Sequence, residues 1–336
     1  FFIFLFNKFK SQKKKIYFFF YGWLFGFGYF VTNLYWISIS LTFDENFKLL
    51  IPLTLIFIPA FLAIFYGLVS YFLMILKTKE VFSIFLIYSI LFAILEFIRG
   101  SIFTGFPWNL IAYSFSNQLE ILSIISVIGT YGFNLFCISL FSCPALLILK
   151  ESNKEICVFI FFILCLAISY LYGNHYKKKF YSTNEIIYDY KVRAIGSNIS
   201  LDRFYLSNNP VLIIEELIEI SNPNLDEKTI FIWPEGILPN VSQKELIEYK
   251  WLFKNKFNKN HLLVIGINKQ IVEGDSKKYF NTFSIYDHEL NLINSYSKIN
   301  LVPFGEFLPF NNFFSMIGLK TITNNYQSYS KGNERD

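Results

Sequence analysis

The stretch KTIFIWPEG, residues 228–236, reads as a buried strand that ends in a carboxylate. Ile230–Trp233 is continuously apolar, the pattern of a strand covered by other elements. Pro234 closes the run and Glu235 follows it. A carboxylate in that position is either exposed at the strand end or held in a pocket. Burial would raise its pKa above the ordinary ~4.3 and make it a better base. Carboxyl ends of such strands also border binding crevices in α/β sheets.

Working outward, the neighbouring segments alternate in the same way. KVRAIGSN (191–198), LLVIGIN (262–268), YFNTFSIYD (279–287) and LINSYSKI (292–299) read as strands. NPVLIIEELIEIS (209–221) reads as a helix with Asn209 as its cap and Pro210 in its first turn. From residue ~190 onward the chain is therefore an α/β domain, with helices covering sheet faces.

Upstream the texture is different. The chain of 336 residues is 54% hydrophobic and only 16% charged, with a mean hydropathy of +0.40. That balance suits a polytopic membrane protein with a polar domain attached. Five apolar segments, about 16–41, 49–76, 81–99, 119–149 and 156–173, reach the ~20 residues that a helix needs to span a bilayer. The expected division is a helical membrane part over 1–173, with residues 1–6 as a further stub, and an extramembrane part over 174–336.

KFKSQKKK (8–15) lies between apolar segments, so it reads as a cytoplasmic flank rather than a nucleic-acid site. Counting spans from it puts everything after ~174 on the opposite side. Only HYKKK (175–179) disagrees. Gly22, Gly26 and Gly28 are spaced for close helix contact. Glu96 and Arg99 stand at i, i+3 and can pair. Phe103, Phe106, Pro107 and Trp108 make the 100–118 loop an aromatic interfacial anchor. Few ionisable residues fall in mid-span, which argues against a transporter. The abundance of Phe, 42 in all, gives no single Phe a functional reading.

Two further residues could work with Glu235. Lys298 closes a strand, and Glu306 follows eight residues later in VPFGE (302–306). A lysine beside a reacting carbonyl supplies charge for a developing oxyanion. A glutamate near it can orient it or keep it protonated. A base plus a cationic stabiliser is two-thirds of a Glu–Lys–Cys site, in which a thiolate attacks an amide, nitrile or ester. The four cysteines, Cys137, Cys143, Cys157 and Cys165, all lie in apolar segments and form no C-x-x-C pair.

GWLFGFGYFVTNLYWISISL (22–41), LEFIRGSIFTGFPWNLIAYSF (95–115), IGTYGFN (128–134), IWPEGILP (232–239), YFNT (279–282) and KINLVPFGEFLPF (298–310) together carry a resemblance. The tail is similar to the nitrilase-type carbon–nitrogen hydrolase domain. With the membrane part, the chain resembles the apolipoprotein N-acyltransferase family. The resemblance implies an αββα sandwich on eight membrane helices in the bacterial inner membrane, with the catalytic domain in the periplasm. It implies a ping-pong transfer of an acyl chain from a phospholipid to a cysteine, then to the α-amino group of a diacylglyceryl-modified apolipoprotein. No cofactor and no metal site are expected, and the working expectation is a monomer.

By the same resemblance Glu235 matches the general base, Lys298 the oxyanion lysine and Glu306 a further essential glutamate. Trp233, Asn281 and Trp108 match motif positions expected near substrate. The family's Cys-Tyr-Glu follows the VPFGE turn, and no such triplet occurs in these 336 residues. The expectation is a fragment cut at both ends, inactive by itself. Alternatives are a membrane-tethered amidase or nitrilase and a non-catalytic lipid-binding homologue.

Overall fold

The computed structural model describes residues 1–11, 14–42, 45–76, 80–102, 105–183, 188–198, 209–238, 240–274, 276–303, 306–307 and 328–333. The chain forms two compact units, Phe1–Asn184 and Glu185–Asp336.

The first unit is helical. It comprises α1 (Phe2–Ser11), α2 (Lys15–Leu34), α3 (Ile51–Ile75), α4 (Val81–Ser101), α5 (Leu119–Leu122), α6 (Ile125–Ser142), α7 (Pro144–Ile148) and α8 (Asn153–Ser182). Five stretches are long and apolar enough to cross a membrane: Lys15–Thr42, Lys48–Ile75, Val81–Ser101, Ile125–Ile148 and Lys154–Ser182. They overlap the five expected segments, the last running on to Ser182 rather than ending at 173. Large apolar side chains of α8, among them Phe161, Leu164, Ile168 and Leu171, face outward, as a lipid-facing helix requires.

Local chemistry explains where these helices pack, start and break. Gly22 and Gly26 let α2 lie against Tyr66 of α3; a Cβ at Gly26 would stand 2.8 Å from Tyr66 Cβ. Gly28 faces open space and takes no part in that contact. Ser152 and Glu155 form a reciprocal capping box at the start of α8. The expected span from 119 begins instead at Ile125. Gly129, at φ +72°, interrupts α6, and Pro144 opens a new turn. The first span ends in a 3-10 stretch, Tyr35–Thr42, rather than in α-helix.

The second unit is an α/β domain built on β1 (Lys191–Ala194), β2 (Thr229–Trp233), β3 (His261–Glu273), β4 (Ser276–Tyr286) and β5 (Leu292–Ser297), with α9 (Pro210–Ser221) between β1 and β2. The strands lie in the order β1-β2-β3-β4-β5. β1, β2 and β3 are parallel, whereas β3, β4 and β5 are antiparallel. At the β4–β5 turn, Asp287 Oδ1 accepts from the N–H groups of Glu289 and Asn291.

Asn209 Oδ1 caps α9 by accepting from Val211 N at 3.1 Å, with Pro210 in the first turn. Ile213, Ile214, Leu217 and Ile218 of α9 share one core with Phe231, Trp233, Leu263 and Ile265. Each such side chain contributes about 1.5–3 kcal/mol when fully buried. Among the described residues there is this single sheet, so the second sheet of the expected sandwich is not among them. The whole is a polytopic membrane bundle joined to an α/β extramembrane domain.

Candidate active site

β2 ends at Trp233, and the chain turns at once through Pro234, Glu235 and Gly236. Gly236 adopts φ +66°, a left-handed conformation that a glycine takes without strain. The turn lies directly on β3 because residue 266 is also a glycine; a Cβ there would meet Glu235 Cα at 2.6 Å. Of the two possibilities for Glu235, the exposed one holds: its side chain is 64% exposed at the strand end.

Three other side chains converge on it. Asn281, in β4, donates from Nδ2 to Glu235 Oε1 and, at 2.7 Å, to Glu306 Oε1. Lys298, one residue past β5, donates from Nζ to Glu306 Oε1 at 3.0 Å and lies 3.4 Å from Glu235 Oε1. The second oxygen of Glu306 accepts from Val302 N at 2.7 Å. Glu235, Gly266, Asn281, Phe283, Tyr296 and Lys298 line a cavity of about 280 Å³.

The charges are fixed by these contacts. Partial burial pulls the Lys298 ammonium down, but the Glu306 hydrogen bond and the two carboxylate charges outweigh it, so its pKa is raised. Partial burial pushes the Glu306 carboxyl up; Asn281, Val302 N and Lys298 outweigh it, so its pKa is lowered. Lys298 is thus a held cation and Glu306 a held anion. Such an ammonium is suited to meeting negative charge that develops on a substrate oxygen. Glu235, accessible and beside it, is placed to accept a proton.

The Trp233 indole is 1% exposed, bonded through Nε1 to Ser221 Oγ at 2.9 Å and packed on Phe253. Alternation along β2 points its ring into the core, where it anchors the strand, and residue 233 also borders the 280 Å³ cavity beside Glu235. Trp108 belongs to the helical unit, is half exposed, and packs on Trp36 at 5.3 Å. Its loop is clamped by Arg99, whose Nη1 donates to the Phe106 and Trp108 carbonyls at 2.7 and 3.0 Å. The same guanidinium forms the expected pair with Glu96, at 2.8 Å and out of contact with solvent. Phe103 lies outside the described residues. The four cysteines lie in the helical unit, Cys137 and Cys143 buried.

Three contributors were not singled out from the sequence: Gly266, the Val302 N–H, and Tyr329, whose N–H donates to the Glu306 carbonyl at 2.8 Å. Only Gly266 had a readable signal, a glycine inside a strand, which marks a close backbone approach.

Comparison with known proteins agrees with these features. The model of the apolipoprotein N-acyltransferase N-terminal domain matches residues 1–143. The apolipoprotein N-acyltransferase of Rhodopseudomonas palustris is 29% identical over 315 residues, covering 90% of this chain and 58% of that protein. Those of Brucella melitensis and Rickettsia prowazekii are each 28% identical, over 94% and 93% of this chain and 60% and 61% of theirs. The chain thus spans about three-fifths of the length of these curated relatives. Helical unit, sheet domain and sequence similarity agree: residues 1–143 match the N-terminal domain model of the apolipoprotein N-acyltransferases, and the chain is similar to these enzymes along most of its length.

Proposed function

We propose that the full-length protein N-acylates the α-amino group of a diacylglyceryl-cysteine at a lipoprotein N-terminus, using a phospholipid as acyl donor. The observation that carries this reading is Lys298, held between Glu306 at 3.0 Å and Glu235 at 3.4 Å at the mouth of a cavity. The five apolar helices supply the membrane setting that a lipid donor needs.

Glu235 acts as the base. Its carboxylate takes the proton of a cysteine thiol. The thiolate attacks the phospholipid ester carbonyl, and Lys298 stabilises the oxyanion. Collapse breaks the ester C–O bond, and the lysophospholipid alkoxide leaves with the proton from Glu235. The lipoprotein amine then attacks the thioester. Glu235 takes the amine proton and returns it to the departing thiolate. Glu306 and Asn281 hold the base and the cation in register. The reaction runs on the periplasmic face of the bacterial inner membrane, in a monomer, without a cofactor.

The test uses full-length protein in detergent, a phospholipid with a labelled acyl chain and a diacylated lipopeptide. The expected result is hydroxylamine-sensitive label on the protein that passes to the lipopeptide. Glu235→Gln and Lys298→Ala should both lose that label. Ammonia release from small amides without acyl transfer would overturn the reading in favour of an amidase.

A further inference from the structure

The short segment 328–333 is stitched to the charged cluster by its main chain. Tyr329 N donates to the Glu306 carbonyl at 2.8 Å, Ser330 N to the Tyr279 carbonyl at 2.7 Å, and Gly332 N to the Lys298 carbonyl at 2.9 Å. One segment therefore grips the backbones of both Glu306 and Lys298, and of β4 two residues before Asn281. The Tyr329 hydroxyl adds a fourth tie, donating to Asn268 Oδ1 at 2.9 Å. Asn268 is the register partner of Asn281 on β3. Gly332 is part of the fit, since a Cβ there would collide with the Ser297 carbonyl.

We infer that residues 328–333 are a positioning strap, and that Tyr329 and Gly332 are positioning residues that hold Glu306 against Lys298. Glu306 sits in a turn whose own tie is local, from its N–H to the Val302 carbonyl at 2.9 Å. The strap joins that turn to the sheet. Its consequence is a division of labour between two carboxylates that compete for one ammonium. With Glu306 in place at 3.0 Å, Lys298 stays at 3.4 Å from Glu235. If Glu306 swung away, the ammonium would settle on Glu235, and the proposed base would be tied up. Burial is the main cause of the raised Tyr329 pKa, and the Glu306 and Glu235 charges raise it further, as expected for a phenol beside this cluster. The catalytic meaning of the strap rests on the acyl-transfer reading above; its structural meaning does not.

Two variants of the full-length protein test it. Tyr329→Phe deletes only the hydroxyl tie, and Gly332→Ala pushes the strap off Ser297. The first readout needs no activity: acetylation of Lys298 by acetic anhydride at about pH 9, quantified by mass spectrometry. Loss of Glu306 contact should raise that labelling several-fold in both variants. The second readout is thioester formation from labelled phospholipid. It should show a several-fold fall in kcat, an unchanged KM for lipid, and an alkaline limb moved to lower pH. Wild-type labelling in Tyr329→Phe removes Tyr329 from the strap, and wild-type labelling in both variants overturns the strap itself, whatever happens to Tm. If Gly332→Ala fails to fold, Tyr329→Phe decides alone, and wild-type labelling in it then overturns the strap. Raised labelling alongside a wild-type protein that forms no thioester keeps the strap and overturns the acyl-transfer reading.

Discussion

The backbone N–H of Lys298 donates to the carbonyl of Asn281 at 2.8 Å, so the two residues whose side chains meet at Glu306 are also joined through the main chain. The amide and the ammonium cannot drift apart independently, and Glu306 receives both on one oxygen.

Asn281 is therefore the first residue to test. Its Nδ2 serves Glu235 and Glu306 together. Asn281→Leu removes a donor shared by two charged groups, and a hydrogen bond to a charged group contributes about 1.5–3 kcal/mol. Thioester formation should fall about 10- to 100-fold. Asn281→Asp should fall further, because it sets a third carboxylate beside two others. Single-turnover acylation assays would read both.

Glu306 sets a pH dependence whose sign follows from its lowered pKa. A depressed carboxyl stabilises the fold above its ordinary value of 4.5, and that contribution is lost as pH falls through the lower folded value. Lys298 behaves in the opposite sense. Its raised pKa gives a contribution present below 10.5 and lost as pH rises through the folded value. Between these limits the pair's contribution is flat. Glu306→Gln should remove its share of the acid loss and bring the alkaline loss to lower pH. Thermal unfolding of both proteins across pH would show the difference.

In the helical unit, Gly26→Leu should clash with Tyr66, and overpacking typically costs about 1–3 kcal/mol. Gly28→Ala, on the same helix but turned away from that contact, should leave thermal stability unchanged or slightly raised, since nothing stands within 4 Å. Equal losses at both positions would contradict the α2–α3 packing described above.

Arg99→Met leaves Glu96 buried without its partner and releases the Phe106 and Trp108 carbonyls. Breaking a buried pair from one side costs about 3–5 kcal/mol. The double variant Glu96→Met with Arg99→Met should be less destabilised than Arg99→Met alone. Unfolding in detergent measures the order, and tryptophan fluorescence reports release of the Trp36–Trp108 contact.

The legible parts of this molecule were those governed by short-range pattern. The runs that became β2 and β5, the Asn209–Pro210 helix start and the five apolar helices are set by neighbours a few residues apart. The i, i+3 pair of Glu96 and Arg99 is of the same kind. What could not be read depends on contacts between distant segments. The bond from the Trp233 indole to Ser221, twelve residues away across the strand–helix connection, was likewise not written in any local pattern. The exposure of Glu235 depends on how its turn rests on Gly266. The ties from Tyr329 span 23 residues to Glu306 and 61 to Asn268, and no local pattern announces them.

The reversal of strand direction at β3 has a practical corollary. β2 and β5 point the same way, so Glu235 and Lys298, 63 residues apart, leave the sheet along one edge. The Asp287–Asn291 turn enters β5 from the opposite edge, where its own Asp287 bonds shape it. That turn is the natural attachment point for a fluorophore or affinity handle: a reporter there rides on the same rigid sheet as the reacting groups while standing a full strand length away from them.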